Sequence, residues 1–535
     1  MSRLHLGVCL FVLFLFQSVG LIAASDGRLI EAVKMSDVQT IRALLSLEDV
    51  NTTERDGTTA LHWAARNDDR EVVELLLDAG ANPQAVNRYG VFPLHVACIN
   101  GNADILEMLL RFGADANAAL PAGETAIMTC AKTGDVEALQ VLLDDGADVN
   151  AKESWHEQTA LMWAAAQTHP AAIKLLLEHG ADLNAKSKQI DGGQASWVPA
   201  SSVKGGFTAL LFAVREGDIP SVRVLLDAGG TVHETAPDGT NVLVVAILNG
   251  HFELAAFLLE KGADPNVLDE KHGSALHALA WVRGHAPGIG MGSASMYPRI
   301  PTGNIDGLTL GRKLLEKGAN PNVVFETEDP PFEQGSKEAT FYYVSNPPDV
   351  AIAVSTLNWD GATPFWVAAK NADAPYMRLL ADFGADPLQP NRVNVTPLMA
   401  AAGAGFMQGE HPGTEAQAFE ATKLALELGN DINAIADYGD WNRADLRFDG
   451  LTALHGAAQR GASSIVQYLV DRGARLDIKT REGWTPFIVA DGLQIGGTLK
   501  NSPETADLLE KLMIERGLIV DTVDLVDRFT GDEQP

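Results

Sequence analysis

Apolar residues recur along this chain with a rhythm longer than any single helix or strand. A short apolar cluster opens each unit, as in Thr59-Ala60-Leu61-His62, Phe92-Pro93-Leu94-His95, Thr208-Ala209-Leu210 and Thr452-Ala453-Leu454-His455. Paired small residues follow one turn later (Ala64-Ala65, Ala164-Ala165), then an apolar triplet such as Leu75-Leu76-Leu77 or Leu175-Leu176-Leu177. Gly-Ala-Asp or Gly-Ala-Asn closes the unit, as at Gly80-Ala81-Asn82, Gly180-Ala181-Asp182 and Gly384-Ala385-Asp386, and an Asn such as Asn150, Asn184 or Asn266 comes next. Thr or Ser caps a first helix and Pro suits its first turn. The triplet gives a second helix its apolar face, and Gly takes the left-handed position after it. The pattern therefore predicts two helices and a turn per unit, with small Ala residues letting the first helix pack closely on its neighbours.

The third position of the opening cluster is Leu61, Leu94, Ile127, Leu161, Leu210, Leu243, Leu276, Phe365, Leu398, Leu454 and Phe487. Six of the ten intervals are 33 residues and one is 34; the others are 49, 89 and 56. A further unit precedes these, with Leu29-Ile30-Glu31-Ala32-Val33 and Ile41-Arg42-Ala43-Leu44-Leu45 as its helices. It lacks the Thr-Pro entry, which fits a capping repeat.

This chain resembles the ankyrin-repeat family, whose period is about 33 residues and whose units begin T-P-L-H-x-A. The resemblance covers about residues 27–517. It is also similar in layout to long exported multi-ankyrin proteins of bacteria. The resemblance implies an all-α solenoid of about twelve stacked helix-turn-helix units, with short turns or hairpins and several loop insertions. It implies protein binding, and places Arg66, Asn67, Ile99, Asn100, Lys132, Thr133, Arg215 and Glu216 on a concave recognition surface. It puts Trp281 there too, as an exposed aromatic anchor. The His of the opening motif, at His62, His95, His277 and His455, is expected to brace the adjoining turn.

The long intervals localise insertions. One falls in the turn near residues 187–206. Three separate the two helices of alternate units: Ala286–Gly303, Gly403–Gln417 and Asp491–Glu504. Others lie in turns, over about 325–358 and after Gly429. The three inter-helix insertions should emerge along one edge and pack together as a wall. The domains expected are a signal peptide (1–24), a capping repeat (25–55), regular repeats (56–271), repeats with long insertions (272–517) and an acidic tail (518–535).

The net charge of −30 repels phosphate backbones, and no basic stripe offsets it, so nucleic acid is excluded as a partner. Arg3, the apolar run Leu6–Phe16 and small residues up to Ala24 follow the order of a secretory signal peptide. Cleavage after Ala24 and a periplasmic or extracellular location are expected; an uncleaved envelope anchor is the alternative. No later segment is long and apolar enough to span a bilayer. Cys98 and Cys130 fall at small, core-facing positions of neighbouring units. Helices 8–10 Å apart set against a Cα limit of about 7 Å lead to the expectation of two buried thiols and no disulfide.

Candidate chemistry is sparse. Gly288, Gly290 and Gly292 lack the strand and helix that a dinucleotide motif needs. His277, His285 and Glu410-His411 do not make a metal-ligand set. No nucleophile elbow, zinc-protease or paired-carboxylate signature occurs, so no catalytic residue, metal or cofactor is expected. Trp63 and Trp163 are expected in the core. Trp197, Trp359 and Trp441 lie in or beside turn insertions. The binding candidates are Trp281, Arg283, His285, Tyr297, Arg299, Arg66, Asn67, Ile99, Asn100, Lys132 and Arg215. The expected function is a non-catalytic, monomeric scaffold for another protein outside the cytoplasm. The alternative is an enzyme or small-ligand receptor built from the insertions at 284–303, 325–358 and 403–417.

Overall fold

The computed structural model describes residues 27–189, 205–270, 272–284, 301–326, 360–405, 413–437, 449–481, 483–495 and 498–520. The chain forms two compact units, with the described residues 27–189 and 205–231 in the first and those from 232 to 520 in the second. The described residues of the first form six helix pairs: α1 (Arg28–Lys34) with α2 (Val38–Leu44), α3 (Ala60–Arg66) with α4 (Arg70–Asp78), and α5 (Pro93–Asn100) with α6 (Ala103–Arg111). They continue as α7 (Ala126–Thr133) with α8 (Val136–Asp144), α9 (Ala160–Ala166) with α10 (Pro170–Glu178), and α11 (Ala209–Glu216) with α12 (Ile219–Asp227).

The second unit also holds six pairs among the described residues. They are α13 (Val242–Leu248) with α14 (Phe252–Glu260), α15 (Ala275–Gly284) with α16 (Gly307–Glu316), and α17 (Pro364–Lys370) with α18 (Ala374–Asp382). Then come α19 (Pro397–Ala402) with α20 (Glu415–Glu427), α21 (Ala453–Arg460) with α22 (Ser463–Asp471), and α23 (Pro486–Asp491) with α24 (Pro503–Glu515). A small antiparallel hairpin, β1 (Leu493–Ile495) and β2 (Thr498–Lys500), stands between α23 and α24. The last of the three inter-helix insertions thus contributes the one strand pair seen among the described residues.

In each unit the first helices of successive pairs pack on one another in a row, and the second helices form a parallel row behind them. Ala64, Ala65, Ala97, Ala126, Ala164 and Ala165 are fully buried between first helices, as their small side chains require. Thr59, Thr159, Thr208, Thr363, Thr396, Thr452 and Thr485 each cap a first helix through the side-chain oxygen. Second helices use Asp caps at Asp69, Asp135, Asp218 and Asp373. Gly80, after α4, has φ 88°, a conformation that a Cβ would strain.

Two sets of hydrogen bonds tie pair to pair. In the first, His62 Nε2 donates to the Val91 carbonyl at 3.0 Å, and Thr59 N–H donates to His62 Nδ1 at 3.2 Å. A carbonyl only accepts and an amide only donates, so this imidazole is neutral with its proton on Nε2. His277 repeats the arrangement with Ala362 and Ser274, and His455 with Trp484 and Thr452. Burial pushes His277 and His455 down to about 4 and lowers His62 and His95. Trp366 occupies the same position in α17. Its indole N–H donates to the Val395 carbonyl at 2.8 Å, making the bond without a titrating group.

In the second set, Asn side chains join successive turns. Asn51 donates to Gly80 O and accepts from Asn82 N–H. Asn117, Asn150, Asn266, Asn322 and Asn433 make the same two bonds to the next turn.

The sequence expectation for the two cysteines is corrected by the structure. Cys98 of α5 and Cys130 of α7 are joined by a disulfide, with Cα atoms 4.8 Å apart. The 8–10 Å spacing separates helix axes, and each Cα row stands about 2.3 Å off its axis. Facing Cα atoms are therefore several ångströms closer than the axes, which brings the pair into bonding range.

Candidate interaction surface

The first-helix row of unit one presents one side to solvent, and the 33-residue period sets which residues lie there. Arg66, Ile99 and Lys132 are exposed, with Ile99 63% accessible. Trp63 and Trp163 lie one turn earlier. They are half-buried rather than core, which corrects the sequence expectation. Their rings form platforms for cations: Arg66 lies 5.2 Å and Lys34 4.9 Å from the Trp63 centroid, and Lys132 lies 4.8 Å from that of Trp163. Arg215 sits 4.9 Å over Phe212 and also pairs with Glu216 at 2.8 Å. Lys34 is held by Glu31 and Glu54, and Glu54 also accepts from the Trp63 indole. Burial against a ring needs an aromatic two positions after the opening Leu, which the sequence shows at both Trp residues. A half-exposed stacked ring and a core ring give the same pattern there.

Asn67 and Asn100 are exposed on this side, and each also bonds to the preceding first helix. Asn67 donates to the carbonyls of Val33 and Lys34, and Asn100 to those of Ala65 and Arg66. Each satisfies orphan carbonyls at the end of the preceding first helix. Thr133 reaches the Cys98 carbonyl in the same way. These residues brace pair on pair, and their period reflects that task.

The hairpins between pairs add residues that sequence reasoning missed. Tyr89 is 58% and Trp155 71% exposed at hairpin tips. Successive tips are joined by Arg88 N–H to Asp56 O and by Ser154 N–H to Ala122 O, both 2.7 Å. Asp56, Tyr89, Ala122 and Trp155 are spaced by 33 residues. That register was available from the sequence, had the turns been aligned as well as the helices. The contact from Trp63 to Glu54, and the 3.0 Å bond from Thr129 to Glu124, run from the first-helix side to the hairpins, so the two surfaces adjoin.

In unit two, Trp281 is half-buried. Arg283 makes a bidentate pair with Asp373, at 2.7 and 3.0 Å, and lies over the Tyr376 ring. Tyr376 is buried and donates from its hydroxyl to Leu276 O at 3.2 Å; burial raises its pKa. Arg283 is therefore a strut between α15 and the start of α18. Arg283→Ala would leave the Asp373 carboxylate poorly hydrated and without this partner. We expect a loss of about 2–3 kcal/mol, read as faster hydrogen exchange in α15 and α18. Exchange unchanged there would contradict the assignment.

His285, Tyr297, Arg299, Trp197, Trp359, Trp441, Glu410 and His411 lie outside the described residues, as do most of the proposed wall and residues 1–24. The ends of the three inter-helix insertions are described, and each rests on the preceding pair. Thr302 N–H donates to Gly250 O, Gly413 packs against Ala372, and Ser502 against Gly461. Arg460 of α21 donates to Gly413 O at 2.7 Å, and burial lowers its pKa to about 10.

Ankyrin-repeat family models match residues 29–119, 94–187 and 196–269, with further matches at 161–226 and 418–490. The chain belongs to the ankyrin-repeat family. Ankyrin repeats generally mediate protein–protein interaction. Among curated proteins, 59 residues of this ankyrin chain are 44% identical to Ankyrin repeat and SOCS box protein 14 of Mus musculus, covering 11% of this chain and 10% of that protein. A stretch of 62 residues is 40% identical to Palmitoyltransferase akr1 of Schizosaccharomyces pombe, again 11% and 10% of the two chains. Another of 59 residues is 42% identical to Dynein axonemal heavy chain 12 of Bos taurus, covering 11% and 16%. The ankyrin chain thus spans a small fraction of each relative, and the palmitoyltransferase match covers a repeat region only. Among the described residues no group of three His, Cys, Asp or Glu is placed to hold a metal ion, and no helix is long and apolar enough to cross a membrane.

Proposed function

We propose that this protein is an exported, non-catalytic ankyrin scaffold. It binds another protein through the first-helix side and hairpin tips of its first unit. The observation that carries this reading is the division of labour on that side. Asn67, Asn100 and Thr133 are committed to bracing the array, whereas Arg66, Ile99, Lys132, Tyr89 and Trp155 project outward beside them. Exposed aromatic and Arg side chains next to an apolar one are the composition of interface anchors. Export is supported by the order of residues in the segment 1–24, and by a Cys98–Cys130 bond of the kind that persists in oxidising compartments.

Placing a photo-crosslinking amino acid at Ile99, and separately at Glu107 on the exposed side of α6, tests the surface. The expected result is a defined adduct from Ile99 and none from Glu107, on a recovered protein whose first residue is Ser25. Adducts from Glu107 alone, or from neither site, would refute the docking surface. An N-terminus at Met1 would refute cleavage.

A further inference from the structure

We propose that the first-helix side of unit one is built for an extended, acidic segment of the partner, with carboxylates about six residues apart. This deepens the scaffold reading and rests on it. The chain carries a net charge of −30, so its surface as a whole repels acidic partners. The position five residues after the opening Leu, Ile or Phe departs from that balance. In the five regular pairs of unit one it holds Arg66, Ile99, Lys132, Ala166 and Arg215: three cations, two apolar residues and no acid.

The cations are also prepared for an incoming anion. Arg66 and Lys132 are exposed, lie over tryptophan faces and have no ion-pair partner among the described carboxylates. The ring holds each charge in place without neutralising it, so less side-chain entropy is lost on binding. Arg215 is likewise stacked but shares its charge with Glu216, and contributes less.

The geometry sets the ligand's period. The cations occur in alternate pairs, with Ile99 and Ala166 between them. First helices pack about 10 Å apart, so alternate cations are separated by roughly 20 Å. An extended chain in the polyproline II form rises about 3.1 Å per residue with about three residues per turn, so about six residues span that distance and every third side chain faces the row. A segment lying along the row would place an acid over Arg66, an apolar side chain over Ile99 about three residues on, and an acid over Lys132 about three further. A helix, rising 1.5 Å per residue, would need about thirteen. Tyr89 and Trp155, on the adjoining hairpins, offer ring surfaces along one flank of the segment.

The test is to pan a random sixteen-residue peptide library against the mature protein beginning at Ser25, in parallel with Arg66→Glu/Lys132→Glu. The proposal expects enriched peptides with Asp or Glu about six apart and an apolar residue midway. It expects binding to weaken about tenfold when either acid is changed to its amide, consistent with one charge-assisted bond each. The charge-reversed protein should lose these peptides while staying folded, with its thermal midpoint lowered by no more than the loss of two exposed cation–π contacts. Neutral or basic winners, acids without that period, equal capture by the reversed protein, or no enrichment would each overturn the inference. An Ile99 crosslink alongside any of those results would leave the scaffold reading standing, and a missing crosslink would remove both.

Discussion

Reducing the Cys98–Cys130 bond is expected to destabilise the surrounding helix pairs by about 3–4 kcal/mol. The bond closes a loop with a sequence separation of 32 residues, and the chain-entropy account assigns that magnitude to a loop of such size. On reduction the Cys98 thiol has the Ala126 carbonyl, 3.1 Å from Sγ, as an acceptor, and no atom leaves the core. The change therefore reports the cross-link rather than a new void. Nearest-neighbour coupling in a repeat array confines most of the effect to pairs near α5 and α7. Urea unfolding followed by hydrogen exchange in those helices, with and without a thiol-free reductant, measures it. Cys98→Ala/Cys130→Ala, which also deletes two fully buried sulfurs, should be no more stable than the reduced protein and indifferent to reductant. A wild-type midpoint that reductant does not move would show that the bond contributes nothing.

Acidification should weaken the second unit through His277 and His455. In the fold both are neutral and titrate at about 4; in the unfolded chain they titrate near the ordinary 6.5. Between those values the unfolded chain binds protons that the folded one refuses, so stability is complete above about pH 6.5 and declines toward pH 4. At pH 5 the cost is about 2 kcal/mol for each residue. His277→Gln/His455→Gln separates this term from carboxylate titration. Glutamine can keep the reciprocal cap, as Gln417 does for Thr414 N–H at 2.8 Å, but it carries no titrating group. At pH 7.5 the variant should be the weaker protein, for want of the two bridging bonds. At pH 5 it should be the stronger one. Parallel stability curves across that range would refute the neutral-imidazole assignment.

The repeat, its helix pairs and the capping unit were legible because they follow from local chemistry: Thr caps, Ala pairs, Leu triplets and Gly stops at fixed offsets. The disulfide was missed because axis spacing was compared with a limit that applies to Cα atoms. The bracing bonds of Asn67 and Asn100 are not legible in the sequence, because a side chain facing the surface and one bracing the preceding helix share a period. Trp366 shows the converse. It breaks the opening motif in sequence, yet its indole preserves the same bond to the next hairpin. Trp155 and Tyr89 escaped notice because the turns look irregular until the unit boundary is shifted into them.

The asparagine bonds have a consequence for how such a chain can change. Asn51 reaches a carbonyl 29 residues ahead, Asn266 one 52 ahead and Asn322 one 62 ahead, yet the geometry is the same. Register between neighbours is thus kept through space and does not depend on the length of chain between them. Segments of new sequence can enter at these seams without shifting the pairs on either side. The same seams are therefore natural sites for grafting a foreign loop or a small domain.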